Sequence, residues 1–255
     1  MALLTDKTLV VAGVGPGLGR EVALAAHREG GRVVLGARTE ANLRAVAGEL
    51  DRVTYQVTEI TDGESCRRLV AAGTQAFGSV DALVVVAARD TDFGGIVDAD
   101  LDTWRAALEV NLLGSMRLVQ AAVPELARRG GSIVLIGTQA MFAPSLPQTA
   151  YAASKGALHA AMLSLAKELG PQAIRVNTVV PTWMWGPNVE AYVQFQAERK
   201  GVEPAEVQAG IARRMALREI PEDGDVANAV IFFASELSRM VTGQTLFVNA
   251  GEYFR

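Results

Sequence analysis

The sequence predicts an α/β protein: a doubly wound, parallel sheet of about seven strands with helices packed on both faces. Three observations predict it. Short apolar runs alternate with segments of helical periodicity along the whole chain, which is the pattern of a parallel sheet and its crossover helices. Several of those runs are rich in Val, Leu and Ile and lack polar alternation, so their strands are buried on both faces. A glycine-rich turn follows the first run directly, where the first βαβ unit of such a fold makes its tight connection.

The chain opens on the apolar run 8–12 (TLVVA), then a glycine turn, then a helix from Leu18 to about 29. Residues 32–37 (RVVLGA) form a second buried strand, and Thr39 stands where a hydroxyl can cap a helix over 40–50. The run 53–58 (VTYQVT) alternates enough to lie near an edge, a helix covers 65–77, and 81–88 (DALVVVAA) is a fully apolar fourth strand. One long helix is expected over 101–126, a fifth strand over 132–136, a helix over 150–169 and a sixth strand over 174–180. The rhythm breaks at 182–220, which contains Gly186-Pro187 and helical stretches near 189–200 and 204–216, and reads as an inserted arm. A helix over 225–235 and a strand over 245–250 complete a single domain spanning 1–255, with no linker or repeat.

With 24 Lys and Arg against 28 Asp and Glu, the formal charge is -4 and no long basic run exists, so no nucleic-acid partner is expected. The single Cys66 excludes an internal disulfide and a cysteine-based metal cluster, and His27 and His159 alone offer little for zinc, so no metal is expected. No apolar run reaches the roughly 18–20 residues that cross a bilayer, and no cleavable leader pattern surrounds Asp6-Lys7. A soluble, cytoplasmic protein without a membrane partner is the expectation.

The turn 13–19 (GVGPGLG) suits a dinucleotide phosphate. Gly13 allows a tight turn, Gly17 lets backbone approach the phosphate and Gly19 lets the helix pack closely, while Leu18 opens a helix whose first amides carry partial positive charge. The second strand runs into Arg38-Thr39 rather than into an acid that would bind ribose hydroxyls. An arginine there pairs with a 2′-phosphate and the threonine hydroxyl adds a hydrogen bond, which favours NADP, with NAD as the alternative. Glu59, after the third strand, stands at the level of an adenine ring.

Tyr151 and Lys155 lie one turn apart on one helix face. Positive charge beside a phenol favours the phenolate, so the pair can move a proton. The same residues would also suit a solvated helix surface. The series of motifs decides between these readings: the glycine turn at 13–19, VNLLG at 110–114, Thr138, YAASK at 151–155, IRVNTVVP at 174–181 and TGQT at 242–245. In this order and spacing the chain resembles the short-chain dehydrogenase/reductase family over almost its whole length. The resemblance implies a Rossmann-like fold, a nicotinamide cofactor, and hydride transfer between that cofactor and a carbonyl or alcohol carbon. It implies Tyr151 as the proton-transferring residue, Lys155 as the partner that lowers the phenol pKa and holds the nicotinamide ribose, and Asn111 as the anchor of a relay water. Thr138 stands where the family has Ser, 13 residues before the tyrosine, and keeps a hydroxyl for the substrate oxygen. Ala87 and Ala88 fall beside the cofactor ribose. Pro181 guides the chain past the nicotinamide, with Thr182 in place of the family's glycine.

Departures accompany the resemblance. The fourth strand ends in Val85-Val86-Ala87-Ala88, followed by Arg89, where the family has Asn-Asn-Ala-Gly, and Asn249-Ala250-Gly251 replaces Asp-Gly-Gly. Arg89 is expected to face the cofactor or the substrate. The extra methyl of Thr138 restricts χ1 and crowds the pocket. The arm carries Trp183, Met184, Trp185, Tyr192 and Phe195 in a chain with only 6% aromatics. Trp183 and Trp185 are expected to line a substrate lid, with Met141 and Phe142 as the opposite wall and Gln139 as a polar contact. The same aromatics would equally fasten the arm to the core or to a partner subunit. A small or medium, largely apolar ketone or secondary alcohol is the expected substrate. The close Tyr–Lys spacing argues against an enoyl reductase of the family. The absence of a serine elbow argues against a hydrolase using His159, which is expected at a helix surface or subunit contact. Ala, Leu and Met on more than one face of the helices at 101–126 and 150–169 suggest burial between subunits, and the resemblance implies a homotetramer or homodimer. The competing reading is an NADP-binding regulatory or scaffolding protein that has lost catalysis. The altered 85–89 segment and Thr138 favour it; Asn111, Tyr151 and Lys155 oppose it.

Overall fold

The computed structural model describes residues 2–90 and 93–254. Seven parallel strands, β1 (Thr8–Ala12), β2 (Arg32–Ala37), β3 (Val53–Val57), β4 (Ala82–Val85), β5 (Gly131–Ile136), β6 (Ile174–Pro181) and β7 (Thr245–Val248), lie in the order β3-β2-β1-β4-β5-β6-β7. The chain starts in the middle, builds out to β3, then returns to the other side of β1 and continues to β7. That reversal opens a crevice beyond the carboxyl ends of β1 and β4, where open α/β sheets bind ligands.

The helices are α1 (Leu18–Arg28), α2 (Glu40–Ala47), α3 (Gly63–Phe77), α4 (Leu101–Leu108), α5 (Ser115–Leu126), α6 (Thr149–Leu169), α7 (Pro187–Lys200), α8 (Pro204–Ala212) and α9 (Asp223–Ala234). Alternate strand residues feed two cores. Val11, Leu35, Val84 and Val134 join α1 and α9 on one face. Val10, Val34, Leu83 and Leu135 join α3, α5 and α6 on the other. Each such side chain contributes about 1.5–3 kcal/mol by leaving water, and a one-residue slip would exchange the two sets between layers. The observed pairing of Val11 with Leu35 and Val84 avoids that.

Three expectations are corrected. The fourth strand ends at Val85 rather than 88, because the amides of Val86 and Ala87 both turn onto the Ala12 carbonyl (2.8 and 2.9 Å) as Gly13 leaves β1 with φ +109°. The helix over 101–126 is interrupted by a π turn, Glu109–Gly114. Thr39 occupies the N-cap of α2, but its side chain makes no cap bond; its carbonyl receives the Asn42 amide at 3.2 Å instead. Beyond β6, α7 and α8 gather an apolar cluster of their own from Val193, Ile211, Met215 and Ile220, with Trp183, Trp185 and Tyr192 packed against it. Among the described residues, no helix is long and apolar enough to cross a membrane, and no three His, Cys, Asp or Glu residues are grouped as metal ligands.

Candidate active site

The crevice is a cleft of about 680 Å³ running from the glycine turn to the start of the arm. Its floor is built by close backbone approach. A Cβ on Gly13 would stand 2.2 Å from the Ala87 amide nitrogen, and one on Gly19 would stand 2.2 Å from the Gly13 carbonyl oxygen. Glycine at these positions lets the ends of β1 and β4 meet and lets α1 start against the turn. Gly17 is the N-cap of α1, so the first amides of that helix point into the cleft without partners in the helix. Arg38 and Thr39 line the far end beyond β2, and Ala87, Ala88 and Pro181 line the middle. Arg38 is exposed and makes no ion pair among the described residues.

Thr138, Tyr151 and Lys155 converge at the other end. Lys155 is 2% exposed, and its ammonium donates to the Ile136 carbonyl at 2.7 Å. The Thr138 hydroxyl accepts from the Ala140 amide at 3.3 Å and lies close enough to the Tyr151 phenol to act on its titration. Burial, and then the charge of Asp90, push the phenol up to about 12, while the Thr138 hydroxyl acts the other way. Burial pushes Lys155 down to about 8 against the pull of Asp90. Asp90 and Thr138 thus act on the phenol in opposite directions.

Asn111 sits in the π turn, fully buried. Its side-chain oxygen accepts the Arg89 amide (2.7 Å), while its nitrogen donates to the Arg89 carbonyl (2.9 Å) and to Ser154 Oγ (2.8 Å). Ser154 Oγ in turn donates to the Tyr151 carbonyl at 2.7 Å. Asn111 thus splices the β4 exit onto the helix that carries Tyr151. Arg89 itself lines the cleft.

Gln139 borders the cleft, but it is 6% exposed and its side-chain amide is committed: the nitrogen donates to Glu252 (2.9 Å) and the oxygen accepts from Asn249 (2.9 Å). Other expected wall residues face elsewhere. Met141 lies behind the cleft against Gly137, and Phe142 packs on His159, Phe247 and Tyr253. Trp183 lines the cleft, but Trp185 lines a separate hollow between α7 and α8. Trp183 also packs on Tyr192 with tilted rings (centroids 5.1 Å apart) and lies under the Arg214 guanidinium (5.9 Å). Phe195 is 58% exposed on the outside of the arm. Glu59 borders the cleft, but its carboxylate accepts the Thr61 amide at 3.1 Å. His159 is bonded to Thr245 Oγ1 at 2.9 Å. Sequence reasoning missed Asp90, Leu146, Gln148 and Asp223, all of which line the cleft. A carboxylate just after the fourth strand was a readable signal for the first; nothing local marked the others.

Comparisons with known proteins agree with this architecture. A family model described as enoyl-(acyl carrier protein) reductase matches residues 13–252. The chain is 32% identical to human dehydrogenase/reductase SDR family member 4 over 253 residues, 97% of this chain and 88% of that one. It is 32% identical to the L-rhamnose 1-dehydrogenase (NAD(P)(+)) of Azotobacter vinelandii, covering 98% and 97% of the two chains. Among solved structures, carveol dehydrogenase from Mycobacterium avium in complex with NAD superposes with TM-score 0.91 at 27% identity, covering 99% of each chain. A short-chain type dehydrogenase/reductase from Mycobacterium ulcerans gives 0.90 at 29%, covering 98% of this chain and 90% of the other. Sheet order, glycine cradle and full-length similarity together assign the chain to the short-chain dehydrogenase/reductase family of oxidoreductases.

Proposed function

We propose that the protein transfers a hydride between NADP(H) and the carbonyl or secondary alcohol carbon of a small or medium, largely apolar substrate. The convergence of Thr138, Tyr151 and Lys155 at one end of a glycine-floored cleft carries this reading. The cradle fits a dinucleotide: Gly13 and Gly19 clear its floor, the α1 amides face it, and Arg38 stands exposed where a 2′-phosphate would lie. When bound, the nicotinamide would supply or accept the hydride. Tyr151 holds the proton. Its raised pKa keeps the phenol protonated, the form that donates to a carbonyl oxygen during reduction. Thr138 gives that oxygen a second hydrogen-bond donor, fixed at the N-cap of the short turn 139–141. Lys155 places a positive charge at the base of the pocket, Asn111 holds the β4 exit and the Tyr151 helix in register, and Ala87, Ala88 and Pro181, which line the middle of the cleft, would pass beside the ribose. Apolar lining from Leu146, Met184 and Val189 supports an apolar substrate body, with Arg89 and Trp183 at its margin. The one-turn Tyr151–Lys155 spacing favours carbonyl over enoyl chemistry.

The test is consumption of NADPH and of NADH across a carbonyl panel, with Tyr151→Phe beside the unaltered protein. Turnover preferring NADPH is expected, with a loss of about 10²-fold or more in the variant. Activity unchanged in Tyr151→Phe would overturn the mechanism, and a preference for NADH would overturn the cofactor assignment. Cofactor binding without turnover of any carbonyl would favour the regulatory reading.

A further inference from the structure

Asp223 is the first residue of α9 and comes from a part of the chain remote from the glycine turn, yet its carboxylate lies against it. A Cβ on Gly17 would stand 3.2 Å from Asp223 Oδ2, and a Cβ on Gly186 would stand 2.5 Å from the same oxygen. The segment entering the arm is tied to the start of α9 by the Trp185 amide on the Pro221 carbonyl (2.7 Å) and by the pairing of Trp185 with Glu222. A carboxylate is therefore built into the wall beside the N-terminus of α1, where the cleft would seat a dinucleotide's diphosphate. Two anionic groups in one part-buried cradle repel each other.

We infer that Asp223 is a residue of the cofactor cleft that makes dinucleotide binding proton-linked: the diphosphate enters with Asp223 neutral, and the ionised carboxylate opposes it. This rests on the reading of the cleft as a dinucleotide site. The surroundings keep the neutral form within reach. Burial, and then the charge of Glu21, push the carboxyl up to about 6. Glu21 faces it from α1, with Arg20 shared between Glu21 (2.6 Å) and Glu49 (2.5 Å). On its own helix, Glu222 and Asp225 are occupied with each other's backbone in a capping box. The glycine turn and residues 183–189 carry no titratable side chain. The carboxyl is thus mostly neutral below about pH 6 and ionised above it. Binding that requires the neutral form takes up a proton above that pH, and affinity then falls as pH rises.

The experiment is calorimetric binding of NAD⁺ from pH 5.5 to 8.5 by the unaltered protein and by Asp223→Asn. NAD⁺ is chosen because the 2′-phosphate of NADP⁺ itself titrates near about 6. Affinity of the unaltered protein is expected to fall by about fivefold or more between pH 5.5 and 8, with proton uptake on binding. Asp223→Asn is expected to vary by less than about twofold and to bind more tightly than the unaltered protein at pH 8. Asp223→Ser serves in its place if a thermal melt shows the first variant unfolded. Binding by the unaltered protein with a pH profile parallel to the variant's overturns the inference and leaves the cleft assignment standing. If neither protein binds NAD⁺, NADP⁺ is titrated in its place, with the Asp223→Asn profile as the reference for the phosphate's own titration, and no binding of either dinucleotide at any pH overturns both.

Discussion

Lys155 shows how far a site residue can be held from its ordinary state. It is the largest fully buried side chain among the described residues, and burial pushes its pKa down to about 8. In the unfolded chain it would titrate near 10.5. Between these values the unfolded chain binds more protons than the folded one, so this residue's contribution to stability rises with pH across that window. At pH 7 the buried ammonium opposes folding, offset in part by its bond to the Ile136 carbonyl. Lys155→Met is therefore expected to be inactive but more stable at pH 7, by on the order of 1 kcal/mol. Its advantage should shrink toward pH 10.5. Denaturant midpoints of both proteins at pH 7 and pH 10 check this, and a variant less stable at pH 7 contradicts it. Tyr151 and Lys155 were legible because their one-turn spacing is a local pattern. Asp90 had a local signal in its place just after the fourth strand, but Asp223 had none, because a carboxylate's approach to a turn far away in sequence depends on how the sheet is wound. The partners of Gln139 were not read for a related reason: Asn249 and Glu252 lie at the other end of the chain.

At the scale of elements, the π turn Glu109–Gly114 does what an unbroken helix would not. It places Asn111 fully inside the molecule, between the exit of β4 and α6; π turns inside α-helices are frequent at functional sites. The sequence pattern showed one continuous helix here, since Ala, Leu and Met on more than one of its faces leave no narrow apolar stripe whose shift could mark the extra residue. Strand cores were legible because their apolar runs are undiluted. The end of β4 was not, because Val86 and Ala87 look like strand residues and leave it only through the shared Ala12 carbonyl. Asn111→Ala would leave the Arg89 amide and carbonyl short of partners in a buried setting. We expect it to destabilise the fold by about 2–4 kcal/mol. Urea unfolding should show a lower midpoint with an unchanged slope. A loss below about 0.5 kcal/mol would mean that water replaces the amide without cost.

At the scale of the whole molecule, two buried layers and a third cluster under the arm account for most large apolar side chains. The doubly wound sheet was predictable as a whole because alternating elements admit few topologies. The arm's interior was not, since Trp183, Trp185 and Tyr192 suit a lid or a fastening equally well until their neighbours are known. What the single chain leaves uncovered is also informative. Leu113 on the π turn and Leu163 on α6 are 45% and 50% exposed, and the π turn packs on α6, so both lie on adjoining elements. We propose that these elements join subunits in a homodimer or homotetramer. Leu163→Glu would then bury a charge without a partner at each contact. Association is expected to weaken by about tenfold or more, seen in sedimentation velocity as a lighter species at micromolar concentration. The side chain points away from the chain's own core, so thermal stability of the separated subunit should change little. A protein that sediments as a monomer before substitution, or an assembly indifferent to the glutamate, would place the interface elsewhere or remove it.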